Sequence, residues 1–401
     1  MRGNLIRLDL FCDSVRDGTH DTPKPKLEGR YLVTSRAIKN NTIDFDNCYF
    51  ISQKDFDKIN KRSLVEKWDV LMTMIGTVGR LLLVKEKPDF AIKNIALFKV
   101  GDEIKAKWLY YYLSTPDVQR YFEMIANGTS QHFIGLGYMR KFKIPNITQS
   151  TGKIISILSA YDSLIENNTK RIRLLEQMAE NLYKEWFVRF RFPGYENTVL
   201  VDGLPKGWKV CKIKDCYKTC SGGTPNREKP EYYINGTIHW VKTGEIQDSI
   251  IIETEEKITQ DALKHSSAKL LPPNSLLMAM YGVNIGKLGL LTRQMSCNQA
   301  ACAFLPNKEK QTLYYLFFYL KNIREYLTNI GFGAAQQNLS QATINKIRII
   351  IPVESIMLCF EQKISVLYKQ IESLQHQINL LAHQRDLLLP RLMSGKLEVK
   401  A

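Results

Sequence analysis

A few short stretches of the chain carry residues that could do chemistry. Pro88-Asp89 followed by Glu103-Ile104-Lys105 is a loose PD…ExK arrangement. In nucleases of that form the carboxylates hold Mg²⁺ and the lysine stabilises developing charge. Both segments here read as turns, and the plain alternative is two solvated loops. YGVNIGKL (281–288) approaches a phosphate-cradling Walker A loop. Its glycine spacing is one residue short and Leu288 stands where Ser or Thr should hold Mg²⁺. LPPN (271–274) is not the Pro-Pro-aromatic motif of an amino-methyltransferase, and no glycine fingerprint for S-adenosylmethionine occurs. The chain is therefore expected to be no enzyme itself, with no cofactor and no metal of its own.

The eight cysteines, with Cys211, Cys216 and Cys220 close together and Cys297 near Cys302, offer a second possibility. They contain no C-x-x-C pair and no neighbouring histidine at zinc-ligand spacing. Buried free thiols in a reducing compartment are the expectation.

The chemistry best supplied is recognition of a polyanion. Lys and Arg total 56 against 40 Asp and Glu, a net charge of +16. Such an excess marks a nucleic-acid partner; the bland alternative is a merely basic protein. Lys and Arg on phosphates give affinity, while Asn, Gln and Arg read base edges. In the first half the candidates are Arg16, Thr19, His20, Lys24 and Lys26 in one loop, Arg36 after a strand, and Gln131 with His132. In the second they are Thr224, Asn226, Arg227, Lys229, Lys242, Gln336, Gln337 and Asn338. Each alone could be ordinary loop polarity, but as a set they fall at matching positions of two halves.

Those halves are copies. LMTMIGTVGR (71–80) returns as LMAMYGVNIGK (277–287), and Gly18-Thr19 pairs with Gly223-Thr224 at a similar offset. LYYYLSTPDVQRYF (109–122) echoes LYYLFFYLKNIREYL (313–327), and NGTSQHFI (127–134) echoes FGAAQQNL (332–339). So long a period is not a solenoid unit; it is one domain written twice. Short β-rich runs such as RYLVTSRAI (30–38) and IHWVKTGEI (238–246) alternate with helical spacing, which predicts an α/β module with a mixed sheet. The repeated glycines read as structural turns, with anion binding by their free amides as the alternative.

Each module is followed by a heptad seam. The first runs from Ile154 to Trp186 with Asn168 in a polar slot, the second from Ile364 to Leu392 with Arg385 in the slot. Seams of this length suit a helix partner, so the two helices are expected to pair as an antiparallel coiled coil, Asn168 and Arg385 helping to fix register. Pro390 should end or kink the second helix. The boundaries are a first domain at 1–148, a helix at 149–192, a linker at 193–202, a second domain at 203–352 and a final helix at 353–401. Two basic modules with pseudo-two-fold symmetry suit a bipartite, asymmetric DNA target, one half-site per domain. The aromatic run LYKEWFVRFRF (182–192) exceeds the needs of one seam. Tyr183, Trp186, Phe187 and Phe190 are accordingly expected to form a docking surface for another subunit.

Over essentially its whole length the chain resembles specificity subunits of type I restriction–modification systems. The likeness rests on the two glycine motifs, GGTP (222–225), KIISILSAYDSLIENN (153–168), QMAENLYKEWFVRFRF (177–192) and the segment 360–399 in combination. It implies work on double-stranded DNA in a complex with two modification subunits, which bind S-adenosylmethionine and methylate adenine. It also implies restriction subunits, where a system has them, that cleave DNA with ATP and Mg²⁺. The helices would set the half-site spacing and help dock the modification subunits. The first copy reads DGTH (17–20), a departure that leaves its local geometry open. The competing reading is a stand-alone two-domain DNA-binding regulator or scaffold, which would bind DNA tightly by itself. No apolar run is long enough to span a membrane and the start lacks a secretory signal, so a cytoplasmic protein is expected.

Overall fold

A computed structural model describes residues 5–39, 41–127, 132–306, 313–332 and 338–399 of the chain. They divide into two compact units, Met1–Glu166 with Asn379–Ala401, and Asn167–Ile378.

In the first unit a four-stranded antiparallel sheet runs in the order Ser14–Asp17, Ile95–Lys99, Val70–Thr73, Leu81–Leu83. Alternate side chains of a strand point to opposite faces, and here both faces are covered. Val70, Met72, Ala96, Phe98, Leu81 and Leu83 enter one core with Trp108 and Leu109 of the helix Glu103–Leu113. Leu71, Leu97 and Leu82 enter a second with Val33 and Ile92. That second face is closed by a three-stranded sheet, Tyr49–Ile51, Arg30–Thr34 and Phe90–Lys93, whose last pair is parallel. The helix Glu103–Leu113 starts where Asp102 accepts a hydrogen bond from the Lys105 amide at 2.8 Å, an N-cap.

The second unit repeats the plan. Lys218–Ser221, Ala301–Leu305, Leu276–Ala279 and Leu288–Leu291 lie in the same order, with Ser249–Ile251 added in parallel at the edge. Leu276 and Met278 face one core, Leu277 and Ala279 the other. The three-stranded partner is Lys257–Ile258, Ile238–Val241 and Ser296–Cys297, again with one parallel pair. In each unit a separate strand pair brings the start of the module to its end: Leu5–Arg7 with Lys143–Pro145, and Lys209–Lys212 with Arg348–Ile351. The tandem α/β repeat expected from the sequence is thus a repeat of topology and of strand register.

The heptad segments are helices Thr151–Tyr183 and Glu354–Met393. Within the second unit Asn168 Nδ2 donates to Gln377 Oε1 at 3.1 Å, and the Tyr183 ring lies 6.3 Å from Phe360. Rising numbers on one helix meet falling numbers on the other, so there the two run antiparallel. Within the first unit Arg385 donates to Asp162 at 2.7 Å. Both polar slots hold polar partners.

Four expectations are corrected. Pro390 does not end the helix, which continues to Met393. Its missing amide falls in the last turn, and buried Leu389, Leu392 and Met393 hold that turn in the core. The aromatic run does not form a docking surface. Tyr183, Trp186 and Phe187 are buried in the second unit's core, the Phe187 ring 4.8 Å from both Tyr315 and Phe360. Phe190, half-buried, packs edge-on against Trp208 at 5.4 Å. The rings that exceed the seam are used by the unit's own fold. The segment read as a linker at 193–202 ends in the first strand of a hairpin, Leu200–Val201, paired with Leu204–Pro205 beyond it. Asp202 and Gly203 both adopt positive φ (50° and 79°), as a tight two-residue hairpin turn requires. Finally, Cys211 and Cys216 are joined as a disulfide, while the other six cysteines are free. The strand Lys209–Lys212 runs straight into the short helix Ile213–Cys216, which folds the two sulfurs together.

Candidate nucleic-acid interface

The repeated glycine motifs are hairpin connections. Residues between Thr73 and Leu81, and between Ala279 and Leu288, link antiparallel neighbours of the main sheets. Gly76 and Gly79 take φ of 76° and 88°, and Gly282 and Gly286 take 71° and 76°, values that favour glycine. The last glycine of each closes the turn, Gly79 N donating to Thr73 O at 3.0 Å and Gly286 N to Ala279 O at 2.9 Å. A Walker A loop opens a helix, whereas YGVNIGKL joins two strands, and Lys287 donates to Gln247 at 2.5 Å. The loose nuclease residues are likewise committed elsewhere. Asp89 takes both its bonds from Arg30 at 2.5 Å, and Glu103 accepts from Lys107 at 2.7 Å. Among the described residues no group of three or more His, Cys, Asp or Glu is arranged to hold a metal ion.

The Gly-Thr turns follow the first strand of each sheet, at the same end as the glycine hairpins, and here the structure shifts the repeat by one residue. Gly18 N donates to Ile95 O at 2.9 Å and Thr19 N to Ile92 O at 3.0 Å. The matching bonds in the second unit come from Gly222 to Ala301 at 3.3 Å and from Gly223 to Cys297 at 2.9 Å. Gly18 therefore corresponds to Gly222, not Gly223, and His20 corresponds to Thr224. All three glycines are crowded by backbone, a Cβ on Gly223 meeting the Ser267 carbonyl carbon at 2.3 Å, so the equivalence rests on the ladder bonds. A Cβ on Gly18 would meet Ile92 O at 2.3 Å, and one on Gly222 would meet Asn298 O at 2.2 Å.

In the first unit the turn gathers a polar cluster. His20 Nε2 donates to Asp17 at 2.9 Å, and Nδ1 lies 2.8 Å from Asn94 Oδ1. Asp17 is buried and is also bonded by Arg62. Thr19 O accepts from Asn94 N at 3.2 Å, and Lys93 Nζ donates to Thr22 at 2.5 Å. Ser35, next to exposed Arg36, donates to the Asn94 carbonyl at 3.3 Å. Thr19, His20 and Arg36 are thus brought to one place. Arg16 is not in the loop; it lies in the strand Ser14–Asp17 and donates to Arg62 O at 2.9 Å. Lys24 and Lys26 are exposed, Lys26 N bonding Phe50 O at 2.9 Å. His132 belongs to the other turn, its carbonyl accepting from Gly76 N at 3.2 Å. Gln131 lies outside the described residues.

In the second unit Thr224 donates to Gln299 Oε1. Asn226 caps its own turn, accepting from Glu228 N at 2.9 Å. Arg227 lies over the Tyr233 and Trp240 rings at 4.5 and 4.9 Å, a cation–π contact with each, and pairs with Glu256 at 2.6 Å. Lys242 pairs with Glu255 at 2.7 Å and Glu256 at 3.1 Å. The Arg227 hydrogen bond holds the Glu256 carboxyl below its ordinary range, and the bond to Glu255 holds Lys242 above its own. Lys229 lies 5.1 Å over the Tyr232 ring, whose hydroxyl raises its pKa. Asn338 forms a bridge with Tyr281 beside the repeated glycine turn. Gln336 and Gln337 lie outside the described residues.

Asn94 and Gln299 are among the cluster members that the sequence reading missed. Both are side-chain amides about one repeat apart, a signal visible only once the offset is applied to non-identical residues.

A fold built twice around one strand register, with polar turns at matched places, defines a two-module recognition protein. The family model for the type I restriction modification DNA specificity domain matches residues 6–177 and 205–382. The chain belongs to that family, the non-catalytic DNA-recognition component of type I restriction–modification systems. It is similar to the MjaIX type I restriction enzyme specificity subunit of Methanocaldococcus jannaschii, 26% identical over 389 residues that span 94% of this chain and 86% of that one. The HindI specificity subunit of Haemophilus influenzae is 24% identical, covering 91% of this chain and 94% of its own. In fold it is similar to a type I S subunit from M. genitalium, with a TM-score of 0.57 at 13% identity over 98% and 96% of the two chains. Among the described residues no helix is long and apolar enough to cross a membrane.

Proposed function

We propose that this chain reads a bipartite, asymmetric DNA target, one half-site per module, within a cytoplasmic complex containing two modification subunits. Those subunits supply adenine methylation with S-adenosylmethionine. Restriction subunits, where the system has them, add ATP- and Mg²⁺-dependent cleavage. The chain itself holds none of these groups.

One observation carries the reading. The two modules keep the same strand register yet place different side chains at equivalent turns, His20 in one and Thr224 in the other. A shared frame with divergent turn residues suits two related readers of two different sequences. The net charge of +16 supplies the salt-sensitive phosphate attraction such a reader needs.

The test is co-expression with the adjacent modification-subunit gene, followed by genome-wide mapping of methylated adenines. A single split motif with a fixed gap is expected, and exchanging residues 1–148 for those of a relative should change one part only. Absence of methylation together with tight DNA binding by the isolated chain would replace this reading with the stand-alone regulator.

A further inference from the structure

We propose that Asn94 and Gln299 are a matched pair of specificity-determining residues, each reading an adenine in the half-site of its own module. The proposal rests on the DNA-recognition reading above and adds the side chains that perform it.

The two residues occupy the same place in the repeat. Each lies on the connection that leads from the parallel strand of the small sheet (Phe90–Lys93 or Ser296–Cys297) into the central strand of the large one. In each, the amide oxygen is bonded by the residue two positions after the ladder glycine. His20 is two residues after Gly18, its Nδ1 lying 2.8 Å from Asn94 Oδ1; Thr224 is two residues after Gly222 and donates to Gln299 Oε1. The residue types holding the amide differ, yet an amide is what both modules present.

That arrangement suits base reading better than turn capping. An amide oxygen has a second lone pair and the nitrogen two donors, so one bond to His20 or Thr224 leaves the acceptor–donor face intact. That face matches adenine N6 and N7 in the major groove. Holding the oxygen from one side fixes the rotamer before DNA arrives, which lowers the ordering cost of binding. Gln299 is exposed and Asn94 half-buried. Asn94 also sits in the left-handed region at φ 56°, where asparagine is tolerated, with its amide and carbonyl pinned by Thr19 and Ser35. Three of the basic residues in these modules are poor base readers by comparison. Arg227 and Lys242 are tied to Glu255 and Glu256, and Lys93 to Thr22.

The test uses the chain in its co-expressed complex, with the methylated motif mapped for the native protein and for Asn94→Ala, Gln299→Ala, Asn94→Asp and Gln299→Glu. Each alanine variant should lose at least about 10-fold in discrimination at one base position, in one half of the motif only. The acidic variants, which keep shape and replace the donor by an acceptor, should turn that position toward cytosine, whose N4 donates. A native split motif that every variant leaves unchanged overturns the proposal while the recognition reading stands. So does a uniform loss of methylation across all positions with the complex intact, which is what a purely structural turn residue gives. If an alanine variant fails to assemble, the near-isosteric acidic variant decides the same question. A native complex that yields no split motif removes the recognition reading and this proposal with it.

Discussion

Asp162 accepts from Arg385 at 2.7 Å with one oxygen and from the Tyr111 hydroxyl at 2.7 Å with the other. Arg385 is the one polar break in its seam, and this is where its charge goes. Burial and the neighbouring Asp162 charge push the Tyr111 hydroxyl up, so it stays protonated and keeps donating. Arg385 also donates to Asp386 at 2.8 Å, so removing Asp162 leaves it partly compensated, and the loss is about 1–3 kcal/mol, the cost of unpairing one buried polar group. Asp162→Ala should therefore lower the urea midpoint strongly, and Asp162→Leu with Arg385→Leu should recover most of the loss. A single variant within about 0.5 kcal/mol of the native chain would show that the pair is solvated and does not hold the helices.

Gly18→Ala and Gly222→Ala test the close backbone approach at the two matched turns. Both glycines would drive a new Cβ into a backbone carbonyl, at 2.3 and 2.2 Å, and a backbone cannot yield as a side-chain tip can. Overpacking of that kind costs about 1–3 kcal/mol. Gly76→Ala meets nothing within 4 Å and is penalised only through its φ of 76°, so it should cost less. Thermal melts of the three variants order them; Gly76→Ala as the most damaging would refute the steric account.

Phe187→Ala separates a core from a docking face. The ring packs on Tyr315, Phe360 and Trp208 within the second unit. Truncating a buried Phe costs about 3–5 kcal/mol, so the isolated chain should melt far earlier. A variant that melts normally yet fails to join its complex would restore the docking role that the buried geometry removes.

The repeat, its strands and both helices were legible because hydrophobic periodicity and a constant offset survive divergence. Register was legible to within one residue. The pairing of Gly18 with Gly223 failed because Thr19 and Thr224 look alike, while the register is set by the ladder bonds of Gly18 to Ile95 and of Gly222 to Ala301. Asn94 and Gln299 were not legible, since an amide in a turn is ordinary until its partner across the sheet is known. The burial of Trp186 and Phe187 was equally hidden. Aromatic excess on a helix says that a partner exists, not that Tyr315 and Phe360 of the same unit provide it.

Glu180 gives the pH dependence. Its two oxygens accept from Lys184 and from Lys321, each at 2.7 Å, tying the first long helix to the helix Leu313–Asn322. Those two bonds, Lys184 first, hold its carboxyl below the ordinary glutamate value near about 4.3. A folded pKa lower than the unfolded one means stability that is present above that value and lost as pH falls through the depressed one. The group is about one-third exposed, with a side-chain exposure of 31%, so the contribution is screened to about 0.5–1 kcal/mol. Glu180→Gln should thus be less stable than the native chain at pH 7. The gap should narrow as the native carboxylate protonates, closing well below the ordinary range. Urea midpoints for both proteins across that interval decide it: a gap that persists unchanged in acid comes from packing, not charge.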